Sequence, residues 1–268
     1  MVQRNTLREL LKAGKPTLGT HLHSAWPAVV EAVGHSGVFD YVEFVAEYAP
    51  FDLTALENLC RTAELFNLSS MIKVDQEPRK FLAQRGIGAG FQSVLFADCR
   101  SVEDARDCLK AARPDTPEDM GTYGAGFRRH AYPFYGEPIE QAQQKYVQAI
   151  RDVVVVLMIE KQGAVEHLEE ILSLPGVDMI QWGAADYTIS TGRPGQWFSP
   201  ETRAVETRVF ETALRMGVPP RCEINTPDDA KRYLDMGVRH FCIGTDLLVW
   251  FDWCRKNGEA MRKALGGA

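Results

Sequence analysis

Apolar and polar positions along this chain follow two periods, and residues 153–186 show both most clearly. The run VVVVLMI at residues 153–159 is wholly apolar, the pattern of a strand buried on both faces. It stops at Glu160. Ala164, Leu168, Ile171 and Leu172 then recur at i, i+4, i+7 and i+8, with Glu166, Glu169 and Glu170 opposite, which predicts an amphipathic helix. Pro175-Gly176 ends it. Residues 177–182 read as a second buried strand, followed by Gly183-Ala184-Ala185 and then Asp186.

The same alternation recurs through the chain. Further strands are predicted at residues 16–23, 39–46, 70–74, 93–97, 220–224 and 240–243, each followed by a helical pattern. No break in composition divides the sequence, so residues 1–268 read as one domain. Eight strand–helix repeats make a (β/α)8 TIM barrel, an α/β fold, the economical architecture. A doubly wound open sheet is the alternative, but no GxGxxG follows the first strand. The first 16 residues form a polar amphipathic helix rather than a signal peptide. The segment 113–137, rich in Gly, Pro and aromatics around Arg128-Arg129-His130, is long enough to be functional or an oligomer contact.

In such a barrel, chemistry belongs at the C-terminal ends of the strands. There the sequence offers His21 and His23, Glu43 and Glu47 with Tyr48, Lys73, Glu160, Asp186, Arg221 with Glu223, and Asp246. Glu160 and Asp186 end neighbouring parallel strands about 4.8 Å apart, so they repel unless a proton or a hard cation sits between them. Solvated loop acids or helix-dipole charges are the structural alternative. Lys73, set between Ile72 and Val74, either binds an anionic substrate or forms a Schiff base. Gly183-Ala184-Ala185 leaves backbone N–H groups open to an anion, or is simply a tight turn. The histidines could be hydrogen-bonded interior groups, Glu47 a loop brace, and Arg221–Glu223 an ion pair at the rim.

Composition narrows the class of function. The 268 residues are 45% apolar and 25% charged, with a net charge of −6. That balance argues against nucleic acid as a partner, and no apolar run approaches the about 18 residues a membrane span needs. Six scattered cysteines without a CxxC pair read as free thiols of a reducing, cytoplasmic protein.

The chain resembles the HpcH/HpaI family of metal-dependent pyruvate aldolases, the group that includes 4-hydroxy-2-oxoheptanedioate aldolase. The likeness rests on Leu18-Gly19, Phe39-Asp40, Glu47-Tyr48-Ala49-Pro50, Ile159-Glu160, Gly183-Ala184-Ala185-Asp186, Ala230-Lys231-Arg232-Tyr233-Leu234 with Gly237, and Gly244-Thr245-Asp246. It implies a lyase whose divalent ion (Mg²⁺, Mn²⁺ or Co²⁺) is held by Glu160 and Asp186 and stabilises an enolate of a small 2-oxo acid. It also implies that Gly183, Ala184 and Ala185 bind the substrate carboxylate, and that the protein is a homo-oligomer, a hexamer whose C-terminal helix 247–265 is exchanged between subunits. Two positions depart from the pattern. Lys73 stands nearest the family's strand-three arginine, keeping charge without the bidentate fork. Val45 and Tyr48 stand in place of the Asp and His of Asp-x-x-His, and a phenol is a poor base at neutral pH. His21 or His23 is then expected to supply the missing imidazole. A Schiff-base aldolase using Lys73, and a noncatalytic 2-oxo-acid-binding barrel, are the rival readings.

Overall fold

The computed structural model describes residues 4–125 and 129–266, so Arg128 of the basic run lies outside the described residues. Eight parallel strands close a barrel in chain order: β1 (Thr17–Leu22), β2 (Tyr41–Val45), β3 (Ser69–Val74), β4 (Ser93–Phe96), β5 (Val154–Ile159), β6 (Met179–Trp182), β7 (Pro220–Ile224) and β8 (His240–Thr245). The TIM barrel expected from the alternation is therefore observed. The helix predicted after β5 is broken at His167 into Gln162–Glu166 and Leu168–Leu172. Ala164, Leu168, Ile171 and Leu172 are nevertheless buried, so the predicted apolar face survives the break. The 113–137 segment carries a 3-10 helix, Arg129–Phe134, that packs on the outer helices through an Arg129–Glu64 ion pair. None of its described residues lines the barrel mouth.

Strand parity decides what faces the lumen, because successive side chains point to opposite sides of a sheet. On β5, Val155, Leu157 and Ile159 join the large core beneath the helices, while Val154, Val156 and Met158 join a smaller cluster with Tyr41, Met71, Leu95 and Met179. That smaller cluster is the lumen. Leu7, on the N-terminal helix Thr6–Lys12, is fully buried within it and plugs the bottom of the barrel. The same parity carries Glu43, Lys73, Gln181, Arg221 and Glu223 inward toward the top.

Arg221 is the largest completely buried side chain in the lumen. A guanidinium cannot lose its proton, so burial demands compensation. Its Nε donates to Tyr41 Oη at 2.7 Å, one terminal nitrogen donates to Gln181 Oε1, and the other donates to Glu43 Oε2. Tyr41 then donates its hydroxyl to the Phe241 carbonyl at 3.1 Å. A Cβ at Gly19 would collide with the Tyr41 ring, so glycine there makes room for this crossing. The sequence-based pairing of Arg221 with Glu223 is thus corrected. The two residues stack in successive inward layers of β7, and Arg221 finds its carboxylate across the lumen on β2.

Removing one partner of such a pair leaves the other charge buried and alone. Arg221→Met is expected to lower the unfolding free energy by about 3–5 kcal/mol in urea melts, and adding Glu43→Leu to restore most of it. A single variant as stable as the wild type, or a double variant no better than the single, contradicts this account.

Candidate active site

Above the Arg221 layer the lumen opens into a mouth cavity of about 510 Å³. Its wall includes His21, His23, Tyr48, Lys73, Glu160, Gly183, Ala184, Ala185, Asp186 and Glu223. Of the polar residues singled out in the sequence, these come to one cavity, whereas Glu43, Glu47, Arg221 and Asp246 stand behind its wall as partners.

Four elements at the strand ends set one side of it. Glu160 continues the inward parity of β5 and is 3% exposed. Its Oε1 accepts a hydrogen bond from the Asp98 backbone N–H at 2.7 Å. Burial pushes its carboxyl up to about 7, with Asp186 adding to the shift and Lys73 and the Asp98 N–H opposing it. Asp186 lies in the first turn of the helix Ala184–Ser190, which begins directly after β6. A Cβ at Gly183 would collide with Glu160 Oε2, so this glycine preserves the space beside that oxygen. The Gly183 N–H bonds to the Ile159 carbonyl at 3.2 Å, and Ala184 and Ala185 open the helix that follows at the cavity wall.

Sequence reasoning missed Lys161. Its ammonium sits 2.5 Å from Asp98 Oδ1 and 2.8 Å from Asp186 Oδ1. The residue directly after Glu160 thus pairs with Asp98 and Asp186 rather than with Glu160. Two buried or half-buried carboxylates, with space kept open beside one of them, fit a hard divalent cation bound through oxygen. Glu160 and Asp186 are the residues that would hold it.

Lys73, on β3, is buried with its ammonium 2.7 Å from Glu47 Oε2 and 3.4 Å from the Tyr48 hydroxyl. Burial alone would favour the neutral amine, but Glu47, Tyr48, Glu223 and Glu160 outweigh it and raise the pKa above the ordinary lysine range. Glu47 therefore braces the lysine rather than a loop. Tyr48 is largely exposed at the rim, yet partial burial pushes its phenol up to about 12.

The two histidines at the end of β1, His21 within it and His23 just after it, differ in kind. His21 Nε2 lies 2.9 Å from Glu43 Oε1 and 3.0 Å from Glu223 Oε1, two acceptors that require a proton on that nitrogen. Burial disfavours the imidazolium, but Cys242, Glu223 and Glu43 outweigh it and hold the pKa well above the usual value. His21, Glu43 and Cys242 bring ligand-type atoms within 4.8 Å of one another. Glu43 already serves Arg221 and His21, so a proton and a guanidinium do there what a metal would do. His23 is the converse. Burial is the main cause that lowers its pKa, and its ring faces Tyr48 with centroids 6.1 Å apart. Asp246 accepts the backbone N–H groups of His23 and Ser24, both at 2.9 Å, and so ties β8 to β1 at the rim.

Comparison with known proteins agrees with this geometry. The chain is 25% identical to 5-keto-4-deoxy-D-glucarate aldolase of Klebsiella pneumoniae, over 97% of each chain. It is 24% identical to hydroxypyruvate/pyruvate aldolase of Cupriavidus necator, covering 98% of this chain and 94% of that one. A crystal structure of an HpcH/HpaI aldolase from Desulfitobacterium hafniense shares the fold with a TM-score of 0.85 at 23% identity, over 97% of each chain. The model of the HpcH/HpaI aldolase/citrate lyase family matches residues 18–250, which run from the second residue of β1 past the end of β8 and include every polar group at the mouth. By that match, this chain belongs to the HpcH/HpaI aldolase/citrate lyase family.

Proposed function

We propose that the protein is a divalent-metal-dependent carbon–carbon lyase that cleaves a 4-hydroxy-2-oxo acid to pyruvate and an aldehyde. The observation that carries this reading is the Glu160 and Asp186 pair at one side of a cavity that the Lys73 ammonium also enters. Relatives named as aldolases of sugar acids and of pyruvate support the same chemistry.

Mg²⁺, Mn²⁺ or Co²⁺ held by Glu160 and Asp186 supplies Lewis-acid polarisation of the 2-oxo group. Lys73 places a fixed positive charge where negative charge grows as the C3–C4 bond breaks. A Schiff base at Lys73 needs the free amine, and the close Glu47 carboxylate favours the ammonium. The N–H groups of Ala184 and Ala185 hold the substrate carboxylate, and Gly183 contributes the space beside them. Of the two histidines, His23 has the neutral ring that accepts the 4-hydroxyl proton. His21 keeps its proton between two carboxylates and so belongs to the charge-balanced floor of the cavity. Tyr48, protonated at neutral pH, gives its proton to the carbon that becomes the methyl group of pyruvate and regains one from the His23 imidazolium beside it, so the proton taken from the 4-hydroxyl is the one returned.

Pyruvate release from a panel of 4-hydroxy-2-oxo acids, coupled to NADH oxidation by lactate dehydrogenase, is expected to vanish in EDTA and return with Mg²⁺ or Mn²⁺. Lys73→Met is expected to lower kcat about 10²–10³-fold. The rate is expected to fall as pH drops through about 7, where Glu160 takes up a proton that competes with the cation, and His23, whose pKa is lowered, adds a further fall at lower pH that His23→Gln removes. Turnover that ignores the chelator and is trapped on Lys73 by borohydride would overturn the reading.

We further propose that a second copy of the chain covers the C-terminal helix Asp246–Ala264, within a homo-oligomer. Its Leu247, Leu248, Val249, Trp250, Phe251 and Trp253 are all exposed, a contiguous patch larger than soluble monomers usually tolerate. Light scattering on the full chain is expected to report an oligomer, and Trp250→Glu with Phe251→Glu to dissociate it. A wild-type monomer would refute the assignment.

A further inference from the structure

Beyond the cation itself, the structure constrains which carboxylate oxygens remain to bind it. Asp98, in the loop after β4, has a left-handed backbone at φ 58, a conformation that aspartate tolerates better than most residues. This turn does two things at once. It aims the Asp98 N–H at Glu160 Oε1, at 2.7 Å, and its side chain at the Lys161 ammonium, at 2.5 Å. Lys161 is itself almost completely buried, and its remaining reach goes to Asp186 Oδ1 at 2.8 Å. Each of the two acids therefore has one oxygen already engaged by a donor. Among the described residues, Glu160 Oε2 and Asp186 Oδ2 accept no hydrogen bond, and Gly183 keeps the space beside the former open.

We propose that Lys161, held by Asp98, is a positioning residue that confines Asp186 to one free oxygen, as the Asp98 N–H confines Glu160, and thereby selects a small octahedral cation over Ca²⁺. The proposal rests on the metal-dependent reading above. Mg²⁺ and Mn²⁺ accept few carboxylate oxygens and complete their shells with water or substrate, whereas Ca²⁺ takes six to eight oxygens and readily uses both oxygens of one carboxylate. Bidentate binding here would require Asp186 to release Lys161, or Glu160 to release the Asp98 N–H. Lys161 also contributes a positive charge close to the acids. Its removal changes the absolute affinity for every divalent ion together, so the ratio between two ions reports the geometry.

The test is calorimetric titration of the chelator-stripped full chain with Mn²⁺ and with Ca²⁺, in the absence of substrate. Lys161→Met is expected to lower Kd(Ca²⁺)/Kd(Mn²⁺) about tenfold, the scale of losses seen when partners of metal ligands are removed. Asp98→Asn keeps the backbone N–H on Glu160 and loosens only the ammonium, so it is expected to shift the ratio the same way by less. Lys161→Arg is expected to retain a ratio closer to wild type than Lys161→Met does. A ratio unchanged in both Lys161→Met and Asp98→Asn, with Mn²⁺ still bound, overturns the proposal and leaves the metal reading standing. A wild-type chain that binds neither ion overturns the metal reading as well. Should Lys161→Met fail to fold, Asp98→Asn and Lys161→Arg decide the question by the same ratio.

Discussion

A guanidinium sealed inside a barrel sets the terms for everything above it. Arg221 cannot be neutral and has no access to water, so Glu43, Gln181 and Tyr41 must meet it from β2 and β6. Meeting it uses one oxygen of Glu43 and turns the other toward His21. His21 is then held between Glu43 and Glu223, and Gln181 donates its amide to Glu223 in turn. Four strands, β1, β2, β6 and β7, are thus joined through their polar side chains as well as through the sheet. The floor of the mouth is a layer of balanced charge rather than the aliphatic layers that fill most barrels of this kind.

On that floor two further charge balances stand on opposite walls. Lys73 with Glu47 gives a held cation, and Glu160 with Asp186 gives an anionic pair only partly offset by Lys161. The cavity between them presents a positive and a negative wall, which suits the 2-oxo acid of the proposed reaction. Specific hydrogen bonds fix the wall residues. Low local dielectric makes each such bond count for more than it would in water.

Much of this was legible in the sequence, for reasons that particular residues make plain. The apolar run ending in Glu160 and the short strand ending in Gly183 revealed both a βαβ unit and an acid at the end of each strand. Lys73 stood out between the apolar Ile72 and Val74, and Glu43 as an acid near a strand end. Partners across the lumen were harder, because they depend on how the barrel closes. Arg221 stands two residues from Glu223 in the chain, yet its carboxylate lies on β2. Gln181 looked like one polar residue in a buried strand, and only the closed barrel shows it bridging Arg221 and Glu223. Asp98 carried no signal, since its role depends on a left-handed backbone that its neighbours do not encode locally. The adjacency of Lys161 to Glu160 was visible, but its reach to Asp186 was not. The histidines show the same division. Their alternation on β1 was readable, whereas the opposite direction of their pKa shifts depends on the carboxylates that close around His21 alone.

The central claim is that this mouth activates the methyl group of pyruvate by means of a cation held at Glu160 and Asp186. Proton–deuterium exchange at that methyl group, followed by NMR in D2O on chelator-stripped protein with and without added Mg²⁺, tests it without knowledge of the aldehyde. Exchange that requires the metal and is lost in Glu160→Gln is the predicted result. Exchange at an equal rate on stripped protein, or none on protein shown to bind Mg²⁺, would contradict it.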